Sequence, residues 1–275
     1  MRIILATSDN LEHVYVANRL AAEVPLDGIV VDHGRRISLL ANVRRLYRKY
    51  TLLQIASRLQ MAVMTRVWRD ETIGRRSMVA AYGPANCLQF SRPDLLHHIH
   101  GINSPEGLQT ISSLQPDVLL IYGTVLVGSK IISQARVLAL NMHTGISPYY
   151  RGADCAFWPI YNQEPHMVGA TVHECTRDID GGKIFGTAKA QLAVDDDVFS
   201  VFARSVMAGA NLYAEIVREL IAGKLRGADQ DLSQGKEYRA RMRDVRAERK
   251  VRRSINEGII RRYLESGQGD RKKSS

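Results

Sequence analysis

Residues 141–182 hold three side chains whose types suit a single acyl-transfer site: Asn141, His143 and Asp180. An asparagine amide can donate to a developing oxyanion. A histidine can hydrogen-bond the same oxygen when protonated, or move a proton. An aspartate can orient the histidine, raise its pKa and accept a proton through a water. No serine or cysteine nucleophile stands beside them, which favours direct transfer over a covalent intermediate. Cys155 is near in sequence, but spacing alone does not make a Cys–His pair. The same types also fit polar groups that merely close the ends of strands, and residue types alone leave both readings open.

The elements that must position these groups are legible around them. Pro116 to Gly123 reads as a buried strand ending in a tight turn, and Val137–Leu140 is a second apolar run that delivers Asn141 and His143 at its carboxyl end. Ligands bind at that end of an open α/β sheet. Side chains on an extended chain alternate faces, so Asn-x-His directs both polar groups to one side. Gly169–Cys175 alternates with period two, and Lys183–Leu192 is its expected antiparallel partner, joined by the loop that carries Asp180, Gly181 and Gly182. The two glycines permit a tight loop that brings backbone amides close to a planar ligand.

The chain opens as strand (2–7), helix and strand (28–31), with Ser8, Asp9 or Asn10 as helix cap. The turn after the first strand lacks G-x-G-x-x-G, which removes most support for a nicotinamide dehydrogenase. Ser104 and Pro105 open a further helix, and Ser133–Arg136 reads as the end of a short one. A helix over 197–220 is capped by Asp195, Asp196 or Asp197, with Phe199, Phe202, Val206, Ala210, Tyr213, Ile216, Val217 and Leu220 as its apolar stripe. His97, His98 and His100 cluster without a neighbouring carboxylate or cysteine at useful spacing, so they read as solvated loop residues and no metal is expected.

The chain has 275 residues, 45% of them apolar, and a formal charge of +10. That length buries a full core. The opening residues do not resemble a signal peptide, no apolar run approaches the roughly 18 residues of a span, and the three cysteines form no C-x-x-C pair. A cytoplasmic protein is expected. The positive excess sits in 35–76 and 236–273, so basic character belongs to peripheral pieces and not to the site. Leu39, Leu40, Val43, Leu46 and Tyr47, then Leu52, Leu53, Ile55, Leu59, Val63 and Val67, recur at helical spacing among arginines. They predict a helical insertion over 35–80, for packing or a dimer interface, with peripheral membrane contact through 35–76 as the weaker alternative. A core over 1–225 and a basic helical extension over 226–275 complete the expected organisation.

Asn-x-His, Pro-Tyr-Tyr-Arg-Gly, Gly-Ala-Thr-Val-His and Asp-Ile-Asp-Gly-Gly-Lys-Ile appear in order, and together they resemble the folate-dependent formyltransferases. That family includes glycinamide ribonucleotide transformylase, methionyl-tRNA formyltransferase and the sugar N-formyltransferases. The resemblance covers about 104–225 well and the first thirty residues as strand, helix, strand. It implies a Rossmann-like, open, mostly parallel sheet with flanking helices, and Asn141, His143 and Asp180 as the catalytic triad. It also implies 10-formyltetrahydrofolate as donor, held near Tyr122, Gly123, Val125 and Val127 and by a loop with Asp178 and Gly181, with no metal.

Where the family has Ser-Leu-Leu-Pro after the histidine, this chain has Gly145-Ile146-Ser147-Pro148. The first turn also lacks the glycine-rich phosphate loop of the purine enzyme. The stretch after residue 225 is shorter than the β-barrel domain of the tRNA enzyme. The tyrosine-rich form is most like members associated with surface polysaccharide synthesis, so the expected acceptor is a small-molecule amine, an amino sugar linked to a nucleotide. Tyr149, Tyr150, Arg151 and Trp158 are expected on the acceptor side, the aromatics for stacking and the arginine for a phosphate; Trp158 could equally serve the core. An RNA-linked amine of the methionyl-tRNA kind is the alternative acceptor, and homodimerisation through the insertion or the tail is a further expectation.

Overall fold

The computed structural model describes residues 1–34, 51–176 and 179–267. Strands β1 (Ile3–Thr7), β2 (Gly28–Asp32), β3 (Leu96–Ile99), β4 (Val118–Ile121), β5 (Leu138–His143), β7 (Gly169–Glu174) and β8 (Ile184–Lys189) form one sheet in the order β3-β2-β1-β4-β5-β7-β8. The first five are parallel; β7 runs antiparallel to β5, and β8 antiparallel to β7. Continuous apolar runs in β1, β2 and β4 follow from burial on both faces. The order reverses at β1 and β4, which opens a crevice at their carboxyl ends. The expected open, mostly parallel α/β sheet is therefore present.

Helix α1 (Leu11–Glu23) links β1 to β2, with Asn10 at its cap position but no side-chain cap bond. Helices α2 (Leu52–Val67), α3 (Asp70–Tyr82) and α4 (Pro84–Cys87) precede β3. The first half of the expected insertion, including Leu39, Leu40, Val43, Leu46 and Tyr47, lies outside the described residues, as do the side chains of Leu52 and Leu53. Leu59, Val63 and Val67 are exposed, so this part of the expected stripe does not pack. Helix α5 (Pro105–Leu114) leads into β4, with Ser104 Oγ accepting from the Gly107 amide at 3.1 Å. Helix α6 (Ser129–Ile132) ends before the expected 133–136.

Helix α8 (Val198–Ile221) crosses β7 and β8 and packs on α1 and α3. Asp197 caps it, accepting from the Phe199 and Ser200 amides at 2.8 Å each. Its buried side includes Val201, Val206, Ala210, Tyr213 and Val217, while Phe199 and Phe202 are only partly buried. Tyr213 ties this helix to the sheet. Its fully buried hydroxyl accepts from the Ile121 amide at 2.9 Å and donates to the Leu140 carbonyl at 2.8 Å.

After α8 the chain returns to the site. β9 (Lys236–Tyr238) pairs in parallel with β6 (Tyr150–Gly152), and α9 (Val245–Asn256) and α10 (Ile259–Glu265) close a second core. Val251, Ile259 and Ile260 pack there with Tyr150, Trp158 of α7 (Trp158–Tyr161) and Tyr238. The apolar periodicity of the tail, diluted by arginines, is thus a real packing face. No described helix is long and apolar enough to cross a membrane.

Tyr213→Phe would strand the Ile121 amide and the Leu140 carbonyl in the core, at a cost of about 1–3 kcal/mol. Equilibrium urea unfolding of the variant should show that loss at an unchanged slope; an unaltered midpoint would mean the hydroxyl does not bridge the two strands.

Candidate functional site

The carboxyl end of β5 carries Asn141 and His143 two residues apart, on one side as the alternation requires. Antiparallel pairing places His173 of β7 directly beside Asn141, their Cα atoms in register. Asp180, on the β7–β8 loop, stands between the two histidines. Its Oδ2 lies 3.4 Å from His143 Nδ1, and its Oδ1 lies 3.3 Å from His173 Nε2. The Gly152 amide donates to Asp180 Oδ2 at 2.8 Å. Asp180 is held at φ +50°, a left-handed conformation that a side chain occupies only when its surroundings over-determine it.

Each histidine has its other nitrogen on a backbone carbonyl. His143 Nε2 faces the Tyr150 carbonyl at 2.9 Å, and His173 Nδ1 faces the Glu174 carbonyl at 2.8 Å. A carbonyl only accepts, so both nitrogens carry hydrogen. In the neutral His173 ring Nε2 then accepts, and Asn141 Nδ2 donates to it at 3.2 Å. That bond takes one of the two amide hydrogens and orients the other. His143 Nδ1 is a lone pair aimed at Asp180 until a second proton arrives. Burial pushes the His143 pKa below 6.5, against Asp180, which raises it; His173 lowers it further and the Tyr150 carbonyl raises it. Burial works against ionisation of Asp180 too, but His143, His173 and the Gly152 amide outweigh it and hold the carboxyl at about 2. The arrangement is a fixed carboxylate beside a neutral imidazole with room for one proton.

A cavity of about 510 Å³ opens over this group. Val125, Leu126, Val127 and Ile132 give it an apolar strip, continued by Cys175 and Ile179; Asn141, His173 and Asp180 line it, while His143 lies behind them. Val125, Leu126 and Ile179 are exposed apolar side chains, suited to being covered by a planar ligand. Gly145 explains one departure in the motif. A Cβ there would stand 2.5 Å from His143 Nε2 and 2.5 Å from Cys155 Cβ, so no side chain fits while the histidine keeps this position.

Several expected residues sit elsewhere. Tyr122 packs into the main core, edge-on to His13, and neither it nor Gly123 nor Gly181 lines the cavity. Asp178 lies outside the described residues. Tyr150 and Trp158, expected to stack on an acceptor, are buried, because Tyr238 stacks on Trp158 at 4.7 Å and on Tyr150 at 5.6 Å. Their hydroxyl and indole groups are also taken: Tyr150 donates to Glu164, and Trp158 Nε1 donates to the Ala153 carbonyl at 2.9 Å. Arg151 is committed to the carbonyls of Pro148 and Leu232, at 3.2 Å each, where a phosphate contact was expected. Tyr149 is exposed, with its hydroxyl 3.4 Å from Gln234 Oε1. Among the described residues no group of histidine, cysteine and acidic side chains could hold a metal. His33 and His98 bond each other at 2.8 Å.

The tail supplies what sequence reasoning left out. Glu237, Tyr238 and Arg239 line the cavity, so basic character reaches the site after all. Gln230 Nε2 donates to the Asp180 carbonyl at 2.8 Å and also to that of Gly182. The Ala153 amide donates to the Tyr238 carbonyl at 2.8 Å. Gly152, at φ +94°, must be glycine, since a Cβ would collide with that same carbonyl. His173 could have been found from sequence by setting Gly169–Glu174 against Leu138–His143 in antiparallel register.

Residues 55–217 match the family model described as formyl transferase. The chain is similar to a methionyl-tRNA formyltransferase of Lacticaseibacillus casei, 31% identical over 173 residues, which are 62% of this chain and 53% of that one. It is also similar to one of Chlorobium chlorochromatii, 28% identical over 136 residues, 50% of this chain and 43% of that one. The chain thus spans about half the length of the curated relatives it matches. Among solved structures, a sugar N-formyltransferase from a Shewanella species aligns with a TM-score of 0.54 and 16% identity, over 92% of this chain and 88% of that one. A 4-N formyltransferase from Francisella tularensis aligns at 0.53 and 16%, over 87% and 76%. A phosphoribosylglycinamide formyltransferase from Anaplasma phagocytophilum aligns at 0.51 and 14%, over 84% and 96%. At these identities the likeness is one of fold.

The histidine assignment can be read by NMR. The His143 ring should titrate with a midpoint below 6.5, and lower still in Asp180→Asn, because the carboxylate that favours the imidazolium is gone. By linkage, a base whose folded pKa is depressed withdraws stability as pH falls below its unfolded value, so acid unfolding should draw on this group from about pH 6.5 downward. A midpoint at or above 6.5 would overturn the assignment.

Proposed function

The chain belongs to the formyl transferase family, and from that premise we propose that it moves the formyl group of 10-formyltetrahydrofolate to the primary amine of a small molecule, an amino sugar linked to a nucleotide. The observation that carries the reading is Asp180, held between His143 and His173 and facing the same cavity as Asn141. The apolar strip of Val125, Leu126, Val127 and Ile132 fits a flat, uncharged pteridine, and Asn141 lies beside it.

On this reading the acceptor nitrogen attacks the formyl carbon and the carbonyl oxygen becomes an oxyanion. Asn141 donates its free amide hydrogen to that oxygen, an interaction that strengthens as charge develops. The nitrogen becomes cationic on bonding, and Asp180 draws off its proton, directly or through a water. His143 Nδ1 can share that proton, since it faces the same carboxylate oxygen at 3.4 Å. When the tetrahedral carbon collapses, the proton returns to the departing nitrogen of the donor. The products are an N-formyl amine and tetrahydrofolate, with no net proton gained or lost. His173 keeps Asn141 aimed.

A second reading has support of its own. The curated relatives are methionyl-tRNA formyltransferases, and a charge of +10 suits a polyanion. It puts the same chemistry on an RNA-linked amine. The amino-sugar reading rests on the tyrosine-rich Ser147-Pro148-Tyr149-Tyr150-Arg151 form of the motif and not on the fold, which sugar and purine enzymes share.

The test follows tetrahydrofolate release by absorbance, with nucleotide-linked 3- and 4-amino sugars as acceptors and methionyl-tRNA in parallel. Turnover is expected with a sugar, and His143→Ala and Asp180→Ala should each cut it by roughly two to four orders of magnitude. Near-wild-type turnover in either variant would sink the mechanism. Turnover with tRNA alone would replace the acceptor.

A further inference from the structure

We propose that Glu237 and Arg239 form a charged lip on the cavity, and that Arg239 takes a diphosphate of the acceptor. The inference rests on the transfer reading above and names the group that its acceptor must carry. Both residues line the cavity that holds Asn141 and Asp180. They lie beyond residue 217, where the match to the family model ends.

The placement is rigid. β9 pairs with β6 in the register Arg151 to Glu237 and Gly152 to Tyr238. Gly152 is the residue whose amide binds Asp180, so Arg239 is one residue past a strand position fixed against the catalytic carboxylate. Gly152 admits no side chain, which holds the two strands at close range.

The guanidinium is also the one available for a ligand. Arg239 is the only lysine or arginine among the described residues that line the cavity. Arg151 is spent on two carbonyls, and the Lys236 ammonium lies 5.1 Å over the Tyr238 ring. Arg243, a few residues on, is gripped by Asp154 at 2.7 Å and Glu248 at 2.6 Å. Among the described residues the Arg239 side chain is paired with Glu237 alone, Nε to Oε1 at 3.1 Å, with the two side chains 61% and 35% exposed. An exposed pair of that kind contributes little and is screened by salt. A dianion that presents two oxygens to the planar fork displaces a single carboxylate readily. Glu237 therefore acts as a placeholder that keeps the cation oriented until the acceptor arrives.

The donor also carries carboxylates, so the two sources of anion must be separated. Titration calorimetry on the full chain would use UDP, dTDP and inorganic pyrophosphate as probes, with 5-formyltetrahydrofolate for the donor side. In Arg239→Glu and Arg239→Ala, affinity for the three phosphate probes should fall about tenfold or more, while 5-formyltetrahydrofolate stays within about twofold. Glu237→Gln should tighten the phosphate probes by about two- to fivefold, because the competing carboxylate is gone. Unchanged phosphate affinity in both Arg239 variants, or no phosphate binding by the wild type, overturns the lip. A loss confined to 5-formyltetrahydrofolate overturns it too and moves Arg239 to the donor. The transferase assay runs beside it on the same proteins. Turnover with an amino sugar at an unaltered KM in Arg239→Glu refutes the lip and leaves the proposed function standing. Turnover with methionyl-tRNA alone refutes the sugar acceptor, whatever the calorimetry shows.

Discussion

Everything near the site follows from keeping one carboxylate charged in a largely buried place. Asp180 is mostly removed from water, and an unpaired buried charge would cost several kcal/mol. The Gly152 amide donates to it instead, and His143 beside it becomes a counter-charge on taking up a second proton. That solution fixes more than a charge. With Nε2 of His143 and Nδ1 of His173 committed to carbonyls, the remaining nitrogens have no freedom of tautomer, and the amide of Asn141 inherits its orientation from His173. A group able to move a proton and a group able to hold an oxyanion are thereby set at fixed positions before any ligand binds, the preorganisation that acyl transfer requires.

The carboxylate can stay in that position only because distant parts of the chain hold its loop. Asp180 has a left-handed backbone that glycine would adopt more easily. Gln230 fastens its carbonyl, and β9 fastens the Gly152–Ala153 stretch from the other side. β9 is itself held by the stack of Trp158, Tyr238 and Tyr150 and by the second core under α9. The sheet end is set separately, by the Tyr213 hydroxyl between β4 and β5. The tail is thus part of the candidate site, although it lies outside the family match.

How much of this could be read from residues depends on the range of the interaction. Asn141 and His143 share a strand, and a period of two places them; Asp180 stands directly before Gly181 and Gly182, in a motif that carries its own signal. The strands, the Asp197 cap and the Ser104 cap are equally local. Tyr150 and Trp158 look like ligand-stacking aromatics only while their partner is unknown. Tyr238 is about eighty residues away, and no local pattern announces that it fills the space a sugar was expected to fill. His173 needs a register between two strands, which is a pairwise fact. Tyr122 is misplaced for a subtler reason: the chain bends at Gly123, and the ring falls back into the core while Val125 and Leu126 go forward to the cavity.

Net charge gives the clearest case of a global number that says little by itself. An excess of ten positive charges suggests a large anionic partner, yet many of the tail's cations are occupied within the protein. Arg243 and Arg252 join Asp154, Glu248 and Asp70 in a half-buried network that clamps α9 to α3 and to the loop after Gly152. Arg252 also covers the Trp68 ring at 4.6 Å. Such arginines are structural; removing one partner would leave a buried charge and cost more than any surface pair is worth. What a charged ligand senses is the remainder, the cations whose partner is exposed and exchangeable. At the cavity that remainder comes down to Arg239 among the described residues, and a single well-placed guanidinium is a stronger statement about recognition than the sum over the chain.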